Sequence, residues 1–239
     1  MRTAPAIKEM RNDILFSGLG EKLIGLLRVY NGLFVKGIWM TLLLSALTVG
    51  IGVVLGSLIA LLKMSKVKPL SWIATIYIEI IRGTPLLLQL YLFYFVVPGA
   101  VKLFSMSEFT SVATALALNS AAYVAEIIRA GIQSVDRGQT EAARSLGMTK
   151  RHTMWRIVFP QAVKNILPSL CNEFIMVIKE TSLASTFFIG DLMTQYKVIN
   201  GITYLAFEPL IIVGVIYFVM TFILSKFVAA YERRLKISD

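Results

Sequence analysis

Long apolar runs separated by short basic clusters set the rhythm of this chain. Residues 38–62 form the first run and contain no charge. The second, 72–97, is interrupted by Glu79, Arg82, Gly83 and Pro85. The third covers 110–128. The fourth starts near Ile157 and ends near Ile189, with Pro160 and Pro168 close to its start. The fifth covers 205–228, with Glu208 and Pro209 at its beginning. A hydrocarbon core of about 30 Å is crossed by roughly 20 apolar residues in a helix. The pattern therefore predicts an all-α integral membrane protein with five transmembrane helices. Gly52 and Gly56 form a GxxxG pair in the first span, a spacing that allows another helix to approach closely.

Charge placement orients these spans. The loop between spans 1 and 2 carries Lys63, Lys66 and Lys68, and the segment between spans 3 and 4 carries Arg129, Arg137, Arg144, Lys150, Arg151 and Arg156. The C-terminus adds Arg233, Arg234 and Lys236, whereas the opposite loops offer only Lys102 and Lys197. Basic loops stay in the cytoplasm, so the C-terminus is expected inside and, with five spans, the N-terminus outside. The tail resists this assignment, since Arg2, Lys8, Arg11, Lys22, Arg28 and Lys36 would then lie outside. Its apolar positions (Leu19, Leu23, Leu26, Leu27, Tyr30, Phe34) recur with a helical period. Residues 1–36 are accordingly read as an amphipathic helix on the membrane surface, preceding a membrane domain at 37–235. The alternative is a sixth, short span with the N-terminus inside, against which stand Glu21, Lys22 and Arg28.

Composition agrees with a bilayer. Of 239 residues, 56% are hydrophobic and 16% charged, well below the share usual for soluble domains, and the mean hydropathy is +0.72. The net charge of +10 sits in loops, which suits an anionic lipid surface and argues against nucleic acid. One cysteine, Cys171, and one histidine, His152, leave no basis for a disulfide or a metal site. No compact apolar region with a small-residue cleavage site opens the chain, so no cleaved signal peptide is expected.

The loop between spans 3 and 4, about 136–160, has internal structure. Residues 139–146 read as a short amphipathic helix, with Asp136 as N-cap and Gln139 three residues on. Gly147 suits the left-handed position that ends a helix. Ala142 and Ala143 leave a small face open to close approach. The full spacing is Glu141-Ala142-Ala143-Arg144-Ser145-Leu146-Gly147, nine residues, then Ile157-Val158-Phe159-Pro160. The chain holds no GxxxxGK[ST] nucleotide loop.

Ionisable groups inside a membrane suggest function. Asn119, Tyr123 and Glu126 fall within about 60° on one helix face. Asn172, Glu173, Met176, Lys179 and Glu180 fall within about 120° on the next span. Two such stripes would line a shared cavity. Lys179 would serve a carboxylate, while Glu126, Glu173 or Glu180 would serve an ammonium group, with the hydroxyls of Thr181 and Ser182 beside them. The competing reading pairs Lys179 with Glu126 or Glu180 to hold helices together. Glu79 and Arg82, three residues apart, are expected to form a local salt bridge. Arg82-Gly83-Thr84-Pro85 should break its helix or simply kink it.

The loop spacing resembles the coupling loop of ATP-binding-cassette (ABC) importer permeases, with Phe159 where that pattern has Leu. Ile81-Arg82-Gly83-Thr84-Pro85-Leu86-Leu87-Leu88-Gln89 and Ala122-Tyr123-Val124-Ala125-Glu126-Ile127-Ile128-Arg129-Ala130-Gly131-Ile132 are similar to stretches of the polar amino acid branch of that family. Gly138-Gln139 fits it too. So does Lys179-Glu180-Thr181-Ser182-Leu183, with Glu180 where Asp is common. The resemblance covers about 38–235 and implies a type I importer permease in the bacterial plasma membrane. Its implied partners are two cytoplasmic ATPase subunits, a second permease copy or paralogue, and an extracytoplasmic binding protein that delivers a polar amino acid. It implies no catalytic residue and no cofactor of its own. The ATPase-coupling residues would be Glu141, Ala142, Ala143, Arg144 and Gly147, and the substrate-binding residues Asn119, Tyr123, Glu126, Lys179, Glu180 and Thr181.

Three other classes compete. An ion-gradient-driven secondary transporter would use Glu126 and Glu180 as relays, but such folds show related halves and no internal repeat is visible. An intramembrane hydrolase would need Ser/His, paired Asp or a His cluster within the spans, and His152 lies in a loop. A permease for another solute, such as phosphate, sulfate or a peptide, would share the coupling loop but not the other three stretches.

Overall fold

The computed structural model describes residues 18–100 and 106–237, with the backbone alone at Ala100 and over 234–237. All regular structure among the described residues is helical. Helix α1 covers Leu19–Lys63 and α2 covers Lys68–Gly83. Helix α3, Leu86–Tyr91, runs on through a π-helical turn at Leu92–Val96 into Val97–Ala100. Helix α4 is Glu108–Gln133, α5 is Arg137–Ser145, and α6, Lys150–Thr153, continues through a second π-helical turn at Met154–Val158 into α7, Phe159–Glu180. A 3-10 turn at Thr181–Phe187 leads to α8, Leu192–Thr203, and α9, Phe207–Ile237.

Three of these helices are long and apolar enough to cross a membrane: α1, α4, and Phe207–Arg233 within α9. A fourth crossing arises if α2 and Leu86–Gly99 count as one span, although they meet at 106°. Helix α7 does not qualify by apolarity alone, because Lys164, Asn165, Asn172, Glu173 and Lys179 dilute its 22 residues. The five expected spans thus reduce to three that are apolar enough by themselves, one bent pair and one polar helix.

The surface helix expected over 1–36 is not a separate element from Leu19 onward. Two helical stretches of α1 meet at a kink at Tyr30 (φ −107°, ψ 17°), and the second runs on through Gly37 to Lys63. Residues 1–17, with Arg2, Lys8 and Arg11, lie outside the described residues, as does Lys102.

Packing divides the chain into two units, Met1–Leu44 with Ile178–Ile223, and Ser45–Val177 with Leu224–Asp239. In the first, Leu26 and Phe34 of α1 pack with Leu192 and Ile199 of α8 and with Ile212 and Val213 of α9. The apolar stripe of the tail therefore serves a protein core as well as the exterior. Gly37 permits the contact with α8, since a Cβ there would lie 2.8 Å from Leu192 Cα. Asp191 caps α8 by accepting from Met193 N at 2.9 Å. Lys22 pairs with Glu208 at 3.4 Å, which joins the start of α1 to the start of α9.

In the second unit α1 lies against α4 at Gly52 and Gly56. A Cβ on Gly56 would come within 2.7 Å of Ala121 O and 2.8 Å of Val124 Cβ, and one on Gly52 within 2.9 Å of Ser120 Oγ. The facing surface of α4 is correspondingly small, with Ala121, Ala122 and Ala125 fully buried. Ala60 and Ile78 complete this core with Ala122 and Ala125. Tyr77 Oη donates to Leu118 O at 2.7 Å and fixes α2 on α4.

Replacing Gly56 by Leu should force α1 off α4 and cost on the order of 2 kcal/mol or more, read as a fall in the melting temperature of the detergent-purified protein. Gly50→Ala, where a Cβ meets nothing within 4 Å, should leave it unchanged.

Candidate functional site

The break between α2 and α3 consists of two extended residues, Thr84 (φ −118°, ψ 148°) and Pro85 (φ −61°, ψ 134°). In an unbroken helix the Ile81 carbonyl would accept from the N–H of residue 85, but proline has none. Gln89 supplies the missing donor. Its Nε2 lies 2.7 Å from Ile81 O, 2.9 Å from Thr84 Oγ1 and 3.2 Å from Thr84 O. Its Oε1 accepts from Asn119 Nδ2 at 2.9 Å. Both amides are buried. Asn119 thus appears where expected on α4, bound to a residue that no functional expectation included. The overlooked signal was a polar side chain one helical turn after a proline inside an apolar run.

One residue further along, Ser120 Oγ donates to Glu173 Oε1 at 2.9 Å, linking α4 to α7. Ser120 lies outside the stripe expected on α4, so this link joins Glu173 to a neighbouring position of that helix.

Glu126 lies at the centre of a cationic cluster. Its carboxylate accepts from Arg129 Nη2 at 2.7 Å and Nε at 3.0 Å, forms a close pair with Lys63 at the end of α1, and has Arg82 Nη1 at 3.9 Å. This corrects two expectations. Arg82, although exposed, pairs with Glu126 and not with Glu79, because α2 packs against α4. Glu126 finds its cations within its own unit and not in Lys179. Arg82 also lies over the Tyr123 ring, with Cζ 5.3 Å from the centroid. These groups line an open cleft of about 650 Å³, with Ser134, Asn165 and Ser169 on its other wall. Asn165 Nδ2 donates to Ser134 Oγ at 2.9 Å. The lining of the cleft therefore holds one cation, Arg82, one carboxylate, Glu126, an aromatic face and several amide and hydroxyl groups. That set suits a small polar ligand.

Lys179, Glu180 and Thr181 belong to the other unit. Lys179 is exposed, Glu180 partly buried and Thr181 fully buried. The hydroxyl of Thr181 donates to Ile178 O at 2.7 Å, where α7 tightens into the 3-10 turn.

The loop helix forms largely as its sequence predicts, although it covers Arg137–Ser145 and not 139–146. Asp136 caps it, with Oδ1 accepting from Gly138 N at 2.6 Å. Gly147 has φ +83°. Its N–H reaches Arg144 O at 3.0 Å, and Met148 N reaches Ala143 O at 3.1 Å, the paired bonds of a Schellman C-cap. Glu141 and Ala142 are exposed, and Ala143 faces inward. Arg144 is exposed but folds back, donating from Nη1 to Met148 O at 2.8 Å, so it braces the turn. Leu146, absent from the expected coupling residues, is 85% exposed. The helix thus presents a carboxylate, a methyl and an isobutyl group on a rigidly capped turn.

The model of the family described as binding-protein-dependent transport system inner membrane component matches residues 52–237. The arginine transport system permease protein ArtQ of Bacillus subtilis (strain 168) is 43% identical over 204 residues, 85% of this chain and 93% of its own length. The putative glutamine transport system permease protein GlnP of Rickettsia bellii is 41% identical over 204 residues, with the same coverage of 85% and 93%. A solved crystal structure of an amino acid ABC transporter with histidines is 53% identical, with a TM-score of 0.83, over 86% of this chain and 95% of that one.

Glu126→Gln would leave Lys63, Arg82 and Arg129 facing one another. The cost should be on the order of 2 kcal/mol, between that of breaking a buried pair and a surface one. It should appear as a lower melting temperature, partly restored by adding Arg129→Gln.

Proposed function

The chain belongs to the binding-protein-dependent transport system inner membrane component family, and we propose that it forms the pathway through which an ABC importer takes up a polar amino acid. The observation that carries this reading is the capped, exposed α5 helix on a chain with no nucleotide loop of its own. A protein without a nucleotide site receives work from outside, and a rigid turn with small and apolar groups at its tip suits a cleft on a separate cytoplasmic ATPase. Glu141, Ala142 and Leu146 would make the contact. Arg144 and Gly147 would hold its shape. The kinship with permeases named for arginine and glutamine transport, and with a transporter solved with histidines, supports a polar amino acid as cargo.

In this reading the membrane domain, 37–235, crosses five times, through α1, the bent α2–α3 pair, α4, α7 and α9. The polar face of α7 is tolerable because a transport pathway gives it protein or water to face. The Lys22–Glu208 pair sets α1 and α9 in at the same side, which supports an N-terminus outside and a C-terminus in the cytoplasm. Residues 1–36 would hold their basic groups at head-group level. Of the expected substrate-binding residues, Tyr123 and Glu126 would line the path, and Arg82 joins them. A second permease copy or paralogue would complete the pore, with two ATPases beneath and a binding protein above.

The test is ATP hydrolysis in proteoliposomes holding this chain and an amino acid importer ATPase. Wild type should co-purify with the ATPase, and hydrolysis should rise when substrate-loaded binding protein is added. Gly147→Asp, which strains a left-handed turn by about 1 kcal/mol, should keep the ATPase bound and lose that rise. An ATPase that neither binds nor responds would refute the proposal.

A further inference from the structure

We propose that Gln89 is a positioning residue of the transport cycle, holding the helix break at Thr84–Pro85 in one bend and tying it to α4 through Asn119. The amide is matched to this task by its chemistry. One Nε2 carries two hydrogens and faces three acceptors, Ile81 O, Thr84 O and Thr84 Oγ1, so one of these bonds is shared. The remaining Oε1 accepts a hydrogen bond from Asn119 Nδ2. A side chain at this position must therefore both donate and accept. Leucine, its neighbour on either side at Leu88 and Leu90, does neither. A lysine would donate only, and an ionised glutamate would accept only. Both Gln89 and Asn119 are about 95% buried, with 4% and 5% of their surface exposed. No water replaces these bonds inside a bilayer.

What the latch positions follows from its neighbours. Arg82 lies just before the break, and Tyr123 and Glu126 lie one and two turns beyond Asn119 on α4. The bond between Gln89 and Asn119 thus fixes the register in which Arg82 stands over Tyr123 at 5.3 Å and beside Glu126 at 3.9 Å. These groups form one wall of the 650 Å³ cleft. Loss of the latch would let the break change its angle and displace Arg82 from that wall. The inference rests on the permease reading above.

The test uses the whole complex, reconstituted with ATPase and binding protein, with uptake of labelled amino acid and melting temperature measured on each variant. Gln89→Leu should lower uptake about tenfold or more while the complex still assembles. Gln89→Glu should make uptake rise as the pH is lowered, because protonation returns one donor for Ile81 O, and wild type should show no such rise. Pro85→Ala combined with Gln89→Leu gives Ile81 O a backbone donor. It should restore the melting temperature but not uptake, since the bend is then no longer held to Asn119. The proposal is overturned by wild-type uptake in Gln89→Leu, by a pH-independent Gln89→Glu, or by uptake that recovers with the melting temperature in the double variant. A wild-type complex that shows no ATP-dependent uptake would instead overturn the permease reading.

Discussion

The close approach of α1 to α4 at Gly52 and Gly56 is the constraint on which the second unit depends. With no hydrophobic force to drive helices together inside lipid, close packing of small residues must do so. Glycine on one helix and Ala121, Ala122 and Ala125 on the other bring the backbones within reach. That contact delivers the end of α1, and with it Lys63, to Glu126. It also sets Ser120 on the side where Glu173 of α7 accepts its proton. A bulky residue at Gly56 would therefore disturb polar contacts well removed from it.

Several buried polar groups among the described residues have a local chemical reason. The Ile81 carbonyl lacks a donor because of Pro85, and Gln89 provides it. Asp191 accepts the free N–H groups at the start of α8. Glu126 balances three cations at once. The cleft beside Arg82 and Tyr123 stays open, with Arg82 and Glu126 as its charged lining residues.

Much of this was legible in the sequence. The Gly52/Gly56 pair announced a tight helix contact. Asp136 and Gly147 announced both ends of α5, because caps are local and their residue types are restrictive. Partners across the fold were not legible. Helical periodicity places Arg82 near Glu79 on its own helix, but it carries no information on how α2 crosses α4, and that crossing decided for Glu126. Lys63 stands 63 positions before Glu126 and read as an ordinary loop charge. Continuity of α1 through Gly37 was hidden because Glu21, Lys22 and Arg28 suggested a segment too polar to join a span. The Lys22–Glu208 pair and the core around Leu26 and Phe34 make that extension stable. Gln89 went unassigned because a glutamine in an apolar run has no meaning until the proline before it is known to break the helix.

In the proposed function, work enters through the loop helix from a separate ATPase. Uptake by proteoliposomes containing this chain, its ATPase and a binding protein tests that most directly. Labelled amino acid should accumulate when ATP is present on the ATPase side with all ion gradients collapsed. It should not accumulate when a proton or sodium gradient is imposed without ATP. Accumulation driven by the gradient alone would contradict the claim and would make the chain a carrier that needs no coupling helix.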